Sequence, residues 1–252
     1  GAATSTAANQ YKHTTDGLQY ANLALSKVKG GAPFTKKDPQ GREVAGVFWT
    51  QNTRPELISD LSYAVAYLSF FGKKDKATAL PIFYELSQSS QKDNPLIYGI
   101  IGDHYVEQRK PIAEQIRVKI AEQQKEGEAV EVKQAREEEI TKLDALLNGY
   151  NERILDAYGR AYKVTKDTPA NKAYRDGLYK IMQDVYRNRF EKETGLDAYI
   201  SQAVAKPFPN PTSEVTPVAD PEPAKTTTTT TGTAPAAAAA NGKTAVTTKP
   251  KQ

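Results

Sequence analysis

Apolar residues recur at helical spacing through most of the chain from residue 14 to residue 205. The clearest stripes are Leu18, Ala21, Leu25 and Val28 in the first segment and Ile112, Ile116 and Ile120 in a later one. Side chains three or four positions apart lie on one face of a helix. Polar pairs such as Glu138 and Lys142 occupy the opposite faces, and no long run alternates with period two. The pattern therefore predicts an all-α body.

Proline and glycine mark the ends of the predicted helices. Proline is favoured at the first helical position, because its missing amide hydrogen has no partner within the helix there, and glycine is favoured just after the last turn. We expect starts at Pro55, Pro95, Pro111 and Pro169, and a kink or a delayed start at Pro81. The predicted helices are 14–29, 55–71, 76–90, 95–109, 111–126, 129–147, 149–165, 169–191 and 196–204.

Two segments allow alternative interpretations. An apolar stripe continues from Ile140 across Gly149 to Leu155, so 129–147 and 149–165 are either two helices or one long bent helix. The stretch 44–50 is strand-like, but we interpret it as a loop that Phe48 and Trp49 pack down.

A small residue is followed three positions later by tyrosine in three helical segments, at Ala64, Gly102 and Gly159. The small residue allows a second helix to approach, and the ring fills the space beside it. With Ala79 and Phe83 in the next segment, this pattern resembles the tetratricopeptide repeat (TPR) family over about residues 55–190. The packing positions of the resemblance are Ala64, Tyr67, Ala79, Phe83, Gly102, Tyr105, Gly159 and Tyr162.

The resemblance implies a TPR-like short α-solenoid of antiparallel helix pairs, which holds peptides or partner proteins on the concave face of its first helices. The spacing departs from the family: the regular period is about 34 residues, whereas Gly102 and Gly159 lie much further apart, with a charged insertion between 122 and 139. In the last pair, the helix from Ala170 to Arg189 also lacks the expected small-residue and phenylalanine pair.

Composition changes near Lys206. Prolines, six consecutive threonines and five alanines follow, and such a segment buries too little apolar surface to offset the entropy of ordering it. We predict an N-terminal extension over 1–13, a helical domain over 14–205 and a flexible tail or linker over 206–252. O-linked sugar on the threonine run is a second interpretation, with candidate sites Thr226, Thr227, Thr228, Thr229, Thr230 and Thr231.

Candidate chemistry is sparse. The chain has no cysteine and two histidines, and no phosphate loop, serine elbow or paired-histidine metal motif. Although His104 lies between Asp103 and Tyr105, with Glu107 one turn away, we interpret it as structural. We therefore expect no enzyme activity, no cofactor and no metal. The net charge of +4 is spread along the chain, so we expect no nucleic-acid partner, and no apolar run is long enough for a membrane span.

The start of the sequence bears on location. The first five residues are small, and the only methionine is Met182. Removal of a signal peptide explains such a start, and truncation of a longer sequence is the other explanation. We expect an exported protein in the extracellular space or periplasm.

Three functions from different classes remain. We favour a structural protein that assembles with itself head to tail into filaments, with the tail docked on the next subunit. The alternative is a monomeric adaptor that binds a peptide or partner protein, and an enzyme is the weakest hypothesis. The candidate interface residues, chosen from a tyrosine-rich helix and the last amphipathic segment, are Tyr174, Tyr179, Tyr186, Leu196, Ile200 and Val204. The last segment, 196–204, is either an assembly surface or a cap.

Overall fold

The computed structural model describes residues 11–45, 53–124 and 127–220. Seven α-helices are found in these residues, and the prediction of an all-α body is confirmed. The helices are α1 (Thr14–Lys29), α2 (Arg54–Tyr67), α3 (Lys76–Leu86), α4 (Pro95–Gln123), α5 (Val130–Val164), α6 (Lys172–Phe190) and α7 (Leu196–Val204). A π-helical turn (Leu68–Gly72) extends α2, and a 3-10 turn (Pro169–Asn171) precedes α6.

Local signals explain most helix ends. Thr53 and Glu56 form a reciprocal capping box at the start of α2, and Pro55 stands in its first turn. The Asn94 side chain accepts a hydrogen bond from the Leu96 amide at the start of α4. For α1 and α7, the structure has the predicted bounds.

Pro111 does not begin a helix, so the predicted break between 109 and 111 is wrong. Proline removes one amide hydrogen from the interior of α4, which continues to Gln123. Ile112 and Ile116 are buried beyond the proline. Their packing against α5 explains why the helix continues, since burial of an apolar face outweighs one missing hydrogen bond. In α5, the segments on both sides of Gly149 form one helix, which was one of the two interpretations.

The loop interpretation of residues 44–50 is wrong at its start. Strands β1 (Thr35–Lys37) and β2 (Glu43–Ala45) form a small antiparallel sheet, in which Thr35 pairs with Ala45. The Asp38 carboxylate holds the turn between the strands, because its Oδ1 atom accepts the amide hydrogens of Gln40 and Arg42, each at 2.9 Å. Phe48 and Trp49 lie outside the described residues.

The core forms around the paired halves of α4 and α5. Helices α6 and α7 pack on α5, α3 packs on α4, and α2 packs on α1 and α3. The largest fully buried side chains come from six helices and are Val28, Phe83, Ile97, Ile101, Ile154, Leu155, Met182 and Ile200. The described helices therefore follow one another as packed neighbours, and the TPR-like solenoid stays a prediction.

The predicted tail does not start at residue 206. Residues 206–218, which we call the strap, pack against the helical body: Val215 is buried and Phe208 packs on the core. The Val218 amide donates a hydrogen bond to the Ala145 carbonyl at 2.7 Å. The compact unit accordingly ends at Ala219, and the second unit begins at Asp220. The candidate glycosylation sites at 226–231 lie outside the described residues.

Candidate functional site

An open groove of about 440 Å³ lies between α2, α4 and α6. The end of α2 and its π-helical turn contribute Tyr67 and Phe71, and Tyr158 of α5 also lines the groove. Helices α4 and α6 supply the other lining residues, which are Leu96, Gly99, Ile100, Asp103, Ala173, Tyr174, Gly177, Leu178 and Ile181. Because α4 and α6 both pack on α5 and their backbones do not approach each other closely, an opening remains between them.

The groove holds a concentration of exposed apolar surface. Leu96, Tyr174 and Ile181 keep 48, 36 and 41 % of their surface accessible, and all three line the groove. Exposed large apolar side chains that cluster on a soluble domain mark surfaces that bind a partner or ligand. Gly99 permits this shape, because a Cβ atom at that position would lie 2.7 Å from the Tyr174 hydroxyl.

Asp103 is the one charged residue among those that line the groove. Its Oδ1 atom accepts a hydrogen bond from the Tyr158 hydroxyl at 2.6 Å, and its side chain stays accessible to solvent. Loss of solvation raises the pKa of Asp103, the Tyr158 hydrogen bond opposes this rise, and nearby Glu107 adds to it. Burial and the contact with Asp103 raise the pKa of Tyr158, so that phenol stays protonated. The groove therefore offers a carboxylate acceptor within an apolar surface.

His104, Asp103 and Glu107 do not converge on a common site. Asp103 points toward Tyr158, whereas Glu107 forms an ion pair with Lys76 of α3. The Nδ1 atom of His104 is buried, with no hydrogen-bond partner in the described chain, and burial, with Lys76 adding to it, lowers the pKa of this imidazole. Within the ranges that the structure describes, no group of three His, Asp or Glu side chains is arranged to hold a metal ion.

The predicted packing positions lie mostly at helix contacts. A Cβ atom on Gly102 would lie 2.5 Å from the Tyr158 ring, and one on Gly159 would lie 3.0 Å from Ile200. Both glycines are buried, as are Ala79, Phe83 and Tyr105, and the half-buried members of the set are Ala64, Tyr67 and Tyr162. The small residues thus sit where a second helix approaches closely.

Three of the predicted interface residues are not on the surface. Leu196 and Ile200 are buried because α7, which carries them, folds back and packs against α5. Tyr186 of α6 is buried because α7 covers it. Gly195 makes this reversal with a φ of 105°, a conformation that favours glycine. Tyr179 and Val204 are half-buried against the core, and only Tyr174 is exposed. Of the two interpretations of the last segment, an assembly surface and a cap, the packing therefore agrees with the cap.

A buried ionic cluster holds the strap. The Asp156 carboxylate accepts a hydrogen bond from the Arg160 Nε atom at 2.9 Å, and Arg160 donates to the Lys206 carbonyl at 2.6 Å. The Arg160 guanidinium also lies 5.0 Å from the centre of the Phe208 ring. Burial raises the pKa of Asp156 to about 6, against the opposing effect of Arg160, Arg153 and Lys206. This cluster has a structural role, since its groups are used in joining α5 to the strap.

Sequence reasoning did not find the groove. Leu96 and Ile181 belong to no pattern that the sequence singles out, and Asp103 was considered only as a neighbour of His104. Their proximity depends on how α4 and α6 pack on α5, which no local pattern encodes. The packing motif at Gly159 lies in α5 and does not line the groove. Most of the groove's lining opposite α4 comes from α6, which carries no such motif.

Comparison with known proteins gives no relative: no protein family, curated protein or solved structure matches this chain. Among the described helices, none is both long enough and apolar enough to cross a membrane. The geometry of the groove is therefore the basis for a functional proposal.

Proposed function

We propose that this chain is a non-enzymatic scaffold protein that binds a segment of a partner protein in the groove between α2, α4 and α6. The observation that carries the proposal is the clustering of exposed Leu96, Tyr174 and Ile181 around one open cavity. A helix of a soluble monomer normally turns such side chains inward. Their exposure favours a docking surface, and its open shape suits a peptide segment.

The Asp103 carboxylate indicates which kind of peptide segment the groove should bind. Asp103 places one carboxylate among apolar and aromatic side chains, and a carboxylate in such surroundings gains most from a charged hydrogen-bond donor. We therefore propose that the bound segment carries a large apolar side chain next to a lysine or arginine.

The positions of the motifs support a TPR-like interpretation of this function in part. Helices α2 and α4, which carry the first-helix motifs at Ala64 and Gly102, both line the groove. The third motif lies in α5, which contributes Tyr158, and α6, a second helix by the resemblance, supplies the remaining wall. The resemblance implies binding on the face of the first helices. Location in the extracellular space or periplasm remains part of the proposal. The head-to-tail filament is less favoured, because α7, its candidate end surface, packs on the core. The tail that would dock on the next subunit lies largely outside the described residues.

A peptide selection tests the proposal directly. Random peptides displayed on phage are selected on the full chain, and the enriched sequences are synthesised and titrated by fluorescence anisotropy. We expect enriched peptides to combine a basic residue with a large apolar one. Asp103→Asn should weaken their binding by about tenfold, as expected for loss of a charged hydrogen bond.

The controls separate the groove from general surface effects. Ile181→Ser removes apolar contact inside the groove and should also weaken binding, whereas Leu23→Ser changes an exposed apolar residue on α1 and should leave binding unchanged. Peptides that bind equally well to the wild type and to both groove variants would show that the groove is not the binding site.

A further inference from the structure

The outer part of the α4–α5 pair carries a second concentration of exposed apolar side chains. We call residues 109–123 of α4 and 130–144 of α5 the distal hairpin. Four side chains in it keep between 44 and 74 % of their surface exposed, and they are Val118, Ile120, Val130 and Val132. Together with the groove and two residues on α1, this accounts for the exposed large apolar side chains of the described chain.

The distal hairpin buries very little of itself. Its buried side chains are Ile112 and Ile116, whereas seven residues of α4 before them and ten residues of α5 after Leu147 are buried. Helices in water depend mainly on packing of an apolar face, and a two-helix hairpin covers only one side of each helix. The distal hairpin therefore has more apolar surface than its own pairing covers.

A shallow depression of about 450 Å³ lies between the two helices of the distal hairpin. Val132 and Ala135 form its apolar part, and ionic side chains surround them. Two ion pairs cross from α5 to α4 there: Glu139 with Lys119, and Arg136 with Glu122. The surface has the apolar centre and charged rim that are typical of helix–helix interfaces.

The two helices of the distal hairpin carry opposite net charge. Residues 109–123 contain four basic and two acidic side chains, which gives a net charge of +2. Residues 130–144 contain three basic and five acidic side chains, which gives a net charge of −2. A two-fold axis brings each surface residue i against j and j against i. An antiparallel pair of these hairpins can therefore place the basic helix of each copy against the acidic helix of the other.

We infer that the distal hairpin is a dimerisation surface, and that its partner is a second copy of this chain, packed as an antiparallel four-helix bundle. Such a bundle covers Ile120 and Val132, one exposed side chain from each helix, and pairs helices of opposite charge. Val118 and Val130 stand two positions from them and therefore lie on other faces of the helices. It closes on itself, so it gives a discrete dimer and not the open filament that the sequence had predicted. The inference is independent of the groove, which lies between other helices.

Sedimentation equilibrium of the full chain over a wide range of concentration tests the inference. The wild type should change from 27.6 kDa to twice that mass as its concentration rises. The double variant Ile120→Glu and Val132→Glu should raise the dimer dissociation constant at least tenfold, because it buries like charges at the interface. Higher salt should also raise the dissociation constant of the wild type, since attraction between opposite charges is screened.

A matched control places new glutamates on another exposed apolar pair. Tyr20→Glu with Leu23→Glu on α1 should leave the dissociation constant unchanged. Circular dichroism of both double variants checks that each keeps the helical content of the wild type. A wild type that stays monomeric throughout, a dimer that survives the distal double variant, or a dimer that the α1 control abolishes would each overturn the inference. None of these measurements depends on peptide binding in the groove.

Discussion

The two ends of the α4–α5 pair use the same two helices in different ways. We call residues 95–108 of α4 and 145–164 of α5 the inner half of the pair. In the inner half, Gly102 lies against the Tyr158 ring, and this close approach accompanies many buried side chains. In the distal hairpin, ion pairs such as Lys119 with Glu139 connect the helices, and few side chains are buried. An i, i+4 apolar stripe is present at both ends. The stripe is thus enough to pair two helices, but small residues and a third and fourth helix are needed to build a core.

Overpacking the inner half of the α4–α5 pair should have the largest effect on stability. Gly102→Leu forces a side chain into the Tyr158 ring, since even a Cβ atom would come within 2.5 Å of it. We expect the free energy of unfolding to fall by about 1–3 kcal/mol. Urea denaturation followed by circular dichroism measures this change.

Gly177→Ala is the matched control for a glycine in a helix. A Cβ atom at Gly177 meets no atom within 4 Å, so alanine should stabilise α6 by about 0.5–1 kcal/mol through its better helix propensity. If Gly102→Leu has no effect on the urea midpoint, the close contact between α4 and α5 is not formed in solution.

The buried Asp156 carboxyl in the inner half of the pair should give a smaller effect on stability, and one that depends on pH. Burial raises the pKa of Asp156 from 3.8 to about 6, so the folded state favours its neutral form. A raised carboxyl pKa stabilises the fold at low pH, and this contribution is lost as the pH rises through the folded pKa. From pH 5 to pH 7, the free energy of unfolding of the wild type should fall by about 1 kcal/mol relative to that of Asp156→Asn.

Urea denaturation of both proteins across this pH range provides the test. The difference between the two proteins removes the contributions of other titrating groups. Arg160, Arg153 and Lys206 all favour the ionised form, so they set how far the pKa rises. A difference that stays constant from pH 5 to pH 7, or one that changes in the opposite direction, would contradict the raised pKa.

Local sequence signals predicted the elements well and their packing only in part. The bounds of α1 and α7 follow from the apolar stripe of α1 and from Gly195. Pro111 misled the prediction because its local preference for a helix start gives way to burial of Ile112 and Ile116 on α5. The strap was missed because its prolines and threonines resemble those of the tail, and no helix or strand periodicity marks the packing of Phe208 and Val215.

The candidate site was harder to predict than the fold. Tyr186 was chosen as a surface residue from its spacing along α6, yet α7 covers it. Of the predicted interface residues, only Tyr174 is an exposed residue of the groove. Burial of a helix face depends on which later helix returns to it, and a single amphipathic pattern does not contain that information.

The smallest effect is expected from the ion pairs of the distal hairpin. Glu139→Gln removes the pair with Lys119, in which the glutamate side chain is 57 % exposed. Solvent and salt screen such a pair, and ordering two long side chains offsets what attraction remains. The urea midpoint of the dilute monomer should therefore stay unchanged.

Arg160→Gln is the matched change in the inner half of the pair. It should lower the urea midpoint, because Asp156 then stays buried without its main partner. Equal shifts in the two variants would show that the distal ion pairs and the buried cluster stabilise the protein alike, and the contrast between the two ends would fail.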